Sequence, residues 1–207
     1  MKRGRLIVIA APSGAGKTSL VKALLASAPA LRLSVSHTTR KRRDTEQEGR
    51  EYHFVSVPEF ERLRRADEFL EHARVFDNFY GTSRGFVEQQ LAAGHDVVLE
   101  IDWQGAQQVR RAMPQSLTVF ILPPSRAALA ERLARRGTDT PEVIARRLAE
   151  AAGDMSHYSE FDYVVVNGDF ARAVEDLQRI IVADRAEDLR SNRPQLAPLL
   201  GELLAPG

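Results

Sequence analysis

The chain of 207 residues contains no cysteine, so neither a disulfide framework nor a thiolate metal site can be built from it. An excess of charge of one sign is also missing: 29 Lys and Arg against 28 Asp and Glu leave a formal net charge of +1. Global electrostatics therefore give no case for a nucleic-acid binder. No apolar run approaches the roughly 20 residues that a membrane-spanning helix needs. The start Met1-Lys2-Arg3-Gly4-Arg5 is basic, but the apolar run Leu6 to Ala11 is too short for a signal peptide. Internal repeats and low-complexity segments are absent as well. These absences leave a cytoplasmic, globular chain with one sizeable core, and no membrane or nucleic acid as partner.

What is present centres on Leu6 to Leu25. Leu6-Ile7-Val8-Ile9-Ala10 has the composition of a buried strand. Ala11-Pro12-Ser13-Gly14-Ala15-Gly16-Lys17-Thr18 follows, and then Leu20, Val21, Leu24 and Leu25 at helical spacing. Seven of the eight positions fit the phosphate-loop pattern G-x-x-x-x-G-K-[ST], and Ala11 stands at the first glycine. Gly14 and Gly16 let the backbone curl so that successive N–H groups face an anion, and the helix adds its positive dipole end. Lys17 is expected at the β- and γ-phosphates, and the Thr18 hydroxyl at Mg²⁺. Ala11 is tolerable there if its φ is negative. The alternative is a glycine turn that merely carries a lysine.

Strands alternating with helices indicate an α/β fold around a parallel sheet. Leu31, Leu33 and Val35 alternate with polar residues, as on a half-buried strand. His37 to Gly49 is polar and includes Arg40-Lys41-Arg42-Arg43, which by itself reads equally as a solvated loop. Ser56-Val57-Pro58-Glu59 has capping-box spacing before a helix with Phe60 and Leu63 inside. Phe69 to Phe76 reads as a strand, Asp77-Asn78 as a turn, and Thr82 or Ser83 as the cap of a helix burying Val87 and Leu91. Val97 to Asp102 is an apolar strand ending in carboxylates, which either hold Mg²⁺ or a water or face solvent. A helix from Trp103 to Met113 and a strand from Leu117 to Leu122 follow. Next come two arginine-rich helices capped by Ser125 and Thr140 and hinged at Gly137-Thr138-Asp139. Leu129 and Leu133 are expected inside, and Arg132, Arg135 and Arg136 outside. The pair suits a mobile lid over phosphates, or a pair of solvated amphipathic helices. Tyr163 to Asn167 is the last core strand, followed by a helix expected from about Phe170 to Arg190. The tail after Asn192 packs either on the core or on another subunit, so a homo-oligomer stays open.

Several motifs together resemble the guanylate kinase family, from about Gly4 to Leu189. Ser34-Val35-Ser36-His37-Thr38-Thr39-Arg40 is similar to its Ser-Val-Ser-x-Thr-Thr-Arg run. Phe69-Leu70-Glu71, Tyr80-Gly81-Thr82-Ser83, Ile101-Asp102-Trp103-Gln104-Gly105, Arg132-Leu133 through Arg136-Gly137 and Asn167 are similar to further family segments. The resemblance implies a P-loop nucleoside monophosphate kinase fold: a parallel sheet core with an inserted GMP-binding subdomain and a helical lid. In these terms the chain is one domain, with core at about 1–35, 89–124 and 158–190. The insertion is about 36–88, the lid about 125–157, and the tail 191–207. The implied activity is ATP + GMP ⇌ ADP + GDP with Mg²⁺, in purine metabolism and GMP recycling.

The resemblance further assigns the GMP phosphate to Arg40, Arg43, Tyr52 and Tyr80, with Glu46 ordering that loop. It assigns guanine to Ser36, Glu71, Thr82 and Asp102, Asn167 to the neighbourhood of the ATP adenine, and the transferring phosphoryl group to Arg136 and Arg147, with Lys17 and Arg40 also catalytic. The chemistry is coherent: guanidinium forks bind phosphate oxygens, and a carboxylate accepts from guanine's N1–H and N2 amino group. Adenine lacks those donors and would leave the carboxylate unpaired. Arg42 and Thr45 replace the family's usual Pro and Gly, and Glu100 stands where many relatives have Asp. Two rivals stay in view, a non-catalytic interaction module of the same family and a kinase for a phosphorylated sugar.

Overall fold

The computed structural model describes residues 3–75, 77–135, 141–183 and 186–205. In chain order the elements are β1 (Leu6–Ala10), α1 (Lys17–Ser27), β2 (Arg32–Leu33), β3 (His37–Thr38), β4 (His53–Phe54), α2 (Val57–Arg65), β5 (Phe69–Val75), β6 (Asn78–Ser83) and α3 (Arg84–Ala92). They continue with β7 (Val97–Glu100), α4 (Trp103–Ala112), β8 (Leu117–Leu122), α5 (Arg126–Ala134), α6 (Pro141–Ser156), β9 (Tyr163–Val166), α7 (Phe170–Ile181) and α8 (Ala197–Leu203). The chain divides into two compact units, Met1–Val8 with Pro29–Leu117 and Ile9–Ala28 with Thr118–Gly207.

A five-stranded sheet runs in the order β2-β7-β1-β8-β9, and both β2–β7 and β8–β9 pair in parallel. Its three inner strands are apolar on both faces: every residue of β1 is buried, as are Val97, Val98 and Leu99 of β7 and Val119 to Leu122 of β8. A strand covered on both sides needs such continuous apolar composition. A four-stranded sheet of order β4-β3-β6-β5 lies in the first unit. It carries a small core of its own, Phe60, Leu63 and Phe69 with Val55 and Phe79 packed against it. Ser56 caps α2 by accepting from the Glu59 amide at 3.3 Å, and the Glu59 carboxylate is taken by Arg62, so the box forms its forward half.

Four expectations need correction. First, β2 is only two residues long, and beyond it Ser34, Ser36 and Thr38 are buried while Leu33 and Val35 are half-buried. The chain leaves the large sheet there, and its inward face becomes polar. Second, Asn78 begins a strand, β6, that extends to Ser83. Ser83 then caps α3, accepting from the Phe86 amide at 3.3 Å. Third, α7 ends at Ile181, where the amides of Val182 and Ala183 both reach the Gln178 carbonyl, at 2.8 and 3.1 Å. Leu189 is buried from a separate short turn, Glu187–Leu189, beside β9, where Arg190 bridges Tyr163. Fourth, Arg132 of α5 is not an outward residue, as described below. The tail packs on its own unit: Leu196 and Leu203 are buried, and Arg126 donates to the Ala205 carbonyl at 2.6 Å. The Gly137-Thr138-Asp139 hinge and the Thr140 cap lie outside the described residues.

Candidate active site

In the second unit β1 ends at Ala10 and the chain turns through Pro12 to Gly16 into α1. The Ala15 amide donates back to the Pro12 carbonyl at 3.2 Å. Gly14 and Gly16 have φ of 90° and 91°, the left-handed region in which a side chain is strained. A Cβ on Gly16 would also lie 2.4 Å from Asn167 Nδ2, and one on Gly14 would press on Leu133 at 2.9 Å. Ala11 is not among the residues of positive φ, so the missing first glycine costs the loop nothing in backbone strain. Gly16 caps α1 without a side-chain hydrogen bond, and the first turn holds no acidic residue. The positive helix end is thereby left to a ligand anion. Lys17 is half-buried, and Thr18 is exposed in the first turn.

The loop is held from behind. Asn167 Nδ2 donates to the Ala15 carbonyl at 2.7 Å, and Arg132 reaches the same carbonyl at 3.4 Å. The second Arg132 nitrogen donates to the Asn167 carbonyl at 2.8 Å. Leu129 and Leu133 rest on the Gly14 backbone. α5 thus supports the phosphate loop from behind. Arg147 sits half-buried in α6, and Arg146 pairs with Glu150 at 2.9 Å. Arg136 lies outside the described residues.

In the first unit two polar clusters share the four-stranded sheet. One is basic. Arg40 donates to Glu46 Oε1 at 2.7 Å, and the Arg43 amide donates to Oε2 at 2.8 Å. The Arg40 guanidinium lies 5.3 Å from the centre of the Tyr52 ring, and Tyr52 meets Tyr80 edge-on. Thr38 Oγ1 accepts from the Arg40 amide at 3.1 Å, and Thr39 Oγ1 accepts from the Phe79 amide at 2.9 Å. Burial pushes the Glu46 carboxyl up, but the bonds from Arg40 and the Arg43 amide, with both charges, outweigh it and lower its pKa. Burial likewise opposes the Arg40 charge and is overcome by Glu46, which raises the Arg40 pKa. Burial, then the charge of Glu100 and the neighbouring Tyr80, push the Tyr52 phenol up to about 12. It remains a hydrogen-bond donor at neutral pH.

The other cluster is buried. Glu71 is 3% exposed and Thr82 is fully buried, facing each other across β5 and β6. Thr82 Oγ1 donates to Glu71 Oε1 at 2.5 Å. Asp102 caps α4, its Oδ1 accepting from the Gly105 amide at 2.7 Å. Ser36 is buried in the segment entering β3, and its carbonyl accepts from the His53 amide at 2.9 Å. The sheet thus brings together Arg40, Arg43, Glu46, Tyr52 and Tyr80 as one cluster, and Glu71 with Thr82 as another. Thr38, Thr39 and Arg132, named in the sequence within family-like segments but without a supporting role, brace these groups and the phosphate loop.

A backbone cradle for phosphates on one unit, and a side-chain site with guanidiniums and a buried carboxylate on another, define a phosphate-loop kinase that phosphorylates a nucleotide. The guanylate kinase family matches residues 3–184. The guanylate kinase of Thiobacillus denitrificans is 57% identical over 199 residues, covering 96% of this chain and 95% of that one. That of Methylococcus capsulatus is 54% identical over 204 residues, covering 99% and 100%. The crystal structure of guanylate kinase from Anaplasma phagocytophilum superposes with a TM-score of 0.71 at 34% identity, covering 97% of this chain and 95% of that one. The chain belongs to the guanylate kinase family. No helix among the described residues is long and apolar enough to cross a membrane.

Proposed function

We propose that the chain, as a cytoplasmic enzyme of purine metabolism, transfers the γ-phosphoryl group of ATP to the phosphate of GMP and so recycles GMP to GDP. The observation that carries the choice of acceptor is Glu71. An almost fully buried carboxylate, held on one oxygen by Thr82, offers its acceptors to a partner with adjacent donors. Guanine has them on one planar edge, N1–H and the N2 amino group; adenine does not. Ser36 and Asp102 complete this base site in our reading. Arg40, Arg43, Tyr52 and Tyr80 take the GMP phosphate, with Glu46 holding the two arginines in place.

On the ATP side, Ala11 to Thr18 wrap the phosphates, Lys17 takes the β- and γ-oxygens, and Asn167 stands near the base. The Thr18 hydroxyl, exposed in the first turn of α1, is an oxygen donor of the kind that holds Mg²⁺ beside nucleotide phosphates. Bound there, Mg²⁺ would neutralise charge on the β- and γ-phosphates. Arg136 and Arg147, from a lid at about 125–157, spread over the transferring group. The insertion at about 36–88 supplies most of the acceptor residues. The acceptor phosphate is itself the nucleophile, so no strong general base is required, and catalysis consists of aligning two anions, dispersing their charge and excluding water.

A coupled assay with ATP and Mg²⁺ against GMP, AMP and ribose phosphates tests the reading. Turnover of GMP alone is expected. Preference for a sugar phosphate, or no turnover at all, would overturn it in favour of the sugar kinase or the interaction module.

A further inference from the structure

Glu71 is useful only if its carboxylate stands at one place, and three features of the first unit converge on it. The pairing of β5 with β6 shifts register between Phe69 and Glu71, since Phe69 faces Ser83 and Glu71 faces Thr82. Two β5 steps therefore match one β6 step, a bulge that re-aims the side chain after it. The first turn of α4 then approaches the carboxylate. A Cβ on Gly105 would lie 2.3 Å from Glu71 Oε2 and 3.1 Å from its Cδ, so only glycine leaves the oxygen its room. The Gly105 amide, meanwhile, is the one that Asp102 caps, at 2.7 Å. One turn on, Gln108 closes a two-way bond with the His72 peptide: its Nε2 donates to the carbonyl at 2.7 Å, and its Oε1 accepts from the amide at 3.1 Å. Gln108 thus acts as a one-residue strand on the edge of β5, fixing the helix to the residue next to Glu71.

We infer that Gly105 and Gln108 are specificity-determining positioning residues: Gly105 gives the base-reading carboxylate its place, and Gln108 locks the helix that defines it. The inference rests on Glu71 reading the base. Gly105 lies inside a helix, where alanine is by itself the better former. Selecting glycine there for stability is the wrong direction; selecting it for the space occupied by Oε2 is the right one.

The test compares Gly105→Ala, Gln108→Leu, Glu71→Gln and the double variant Gly105→Ala/Glu71→Gln. Each is assayed with GMP and with IMP, which lacks the N2 amino donor, and Tm is recorded. Gly105→Ala is expected to lose about 30-fold in kcat/KM for GMP, with less loss for IMP and an unchanged KM for ATP. The double variant should be no worse than Glu71→Gln alone, because both changes remove the same carboxylate geometry. Gln108→Leu should lose about 5-fold for GMP in the same selective way, and it carries the test if Gly105→Ala does not fold. Additive losses in the double variant, or equal losses for GMP and IMP in the singles, would overturn the inference and leave both residues merely structural. If Glu71→Gln itself leaves GMP kinetics unchanged, the base-site reading has failed instead.

Discussion

The two proposed binding regions are built by different means. The phosphate loop uses backbone: two glycines at φ near 90°, an uncapped helix end and carbonyls tied from behind by Asn167 and Arg132. In the proposed reading the loop meets phosphates largely through peptide N–H groups, with Lys17 and Thr18 adding side chains, and Ala11, outside the residues of positive φ, can stand for glycine. The acceptor region uses side chains, and each one is held by another: Arg40 by Glu46, Glu71 by Thr82, Asp102 by an amide of α4. Backbone recognition suits a triphosphate common to many enzymes. Side-chain recognition suits the one base that must be chosen.

The sharpest way to break this contrast is Lys17→Ala. Turnover should fall by about 10³-fold while GMP affinity in calorimetry stays within a factor of about two, because the loss is confined to phosphate charge stabilisation. A parallel loss of GMP affinity would mean that the regions do not divide the work. Next comes Arg147→Ala, expected to lower kcat by about 10²-fold with a smaller effect on KM for GMP. Steady-state kinetics that retain kcat would return α6 to the status of a solvated helix. Glu71→Gln should cost about 2–3 kcal/mol, or roughly 30–150-fold in kcat/KM for GMP, since one acceptor becomes a donor facing a donor. The KM for ATP should not change.

The smallest effect is a pH dependence. The Glu46 pKa is lowered in the folded protein, so its hold on Arg40 and the Arg43 amide is fully present above the ordinary carboxylate range. That hold is lost only as pH falls through the lowered value. GMP affinity should therefore weaken in acid, below the range where free glutamate titrates, and Glu46→Gln should bind GMP less well at neutral pH and lack that acid limb. Titration calorimetry over a pH series reads both. An acid limb unchanged in the variant would assign it to another group.

The contrast also governs how much was legible in the sequence. The phosphate loop is contiguous, and its strand, glycines and helix start could be placed residue by residue. The long apolar strands β1, β7 and β8 were equally plain, because burial on both faces leaves an unbroken run. β6 is not legible because the buried positions of Asn78-Phe79-Tyr80-Gly81-Thr82-Ser83 are Gly81 and Thr82, so it lacks the apolar alternation of an ordinary strand. α7 was read too long because Leu189 fell by spacing on its inner face, although a separate turn buries it. Arg132 was read as outward from its helical phase. Its length lets it fold back onto two carbonyls, and no periodicity reports that. The proposed acceptor residues were recognisable through a family resemblance, but the Thr82–Glu71 bond was not, since it forms only when β5 and β6 meet.

The side chains that hold the Ala15 carbonyl lie 117 and 152 positions further along the chain. Contacts of such separation form late, after local helices and turns. A nascent chain thus carries the whole glycine motif long before it carries a finished nucleotide site. ATP has little to grip on a partial chain, and once it binds the completed one it stabilises that state by mass action. The distance in sequence between the loop and its supports ties nucleotide binding to the folded chain rather than to the glycine motif alone.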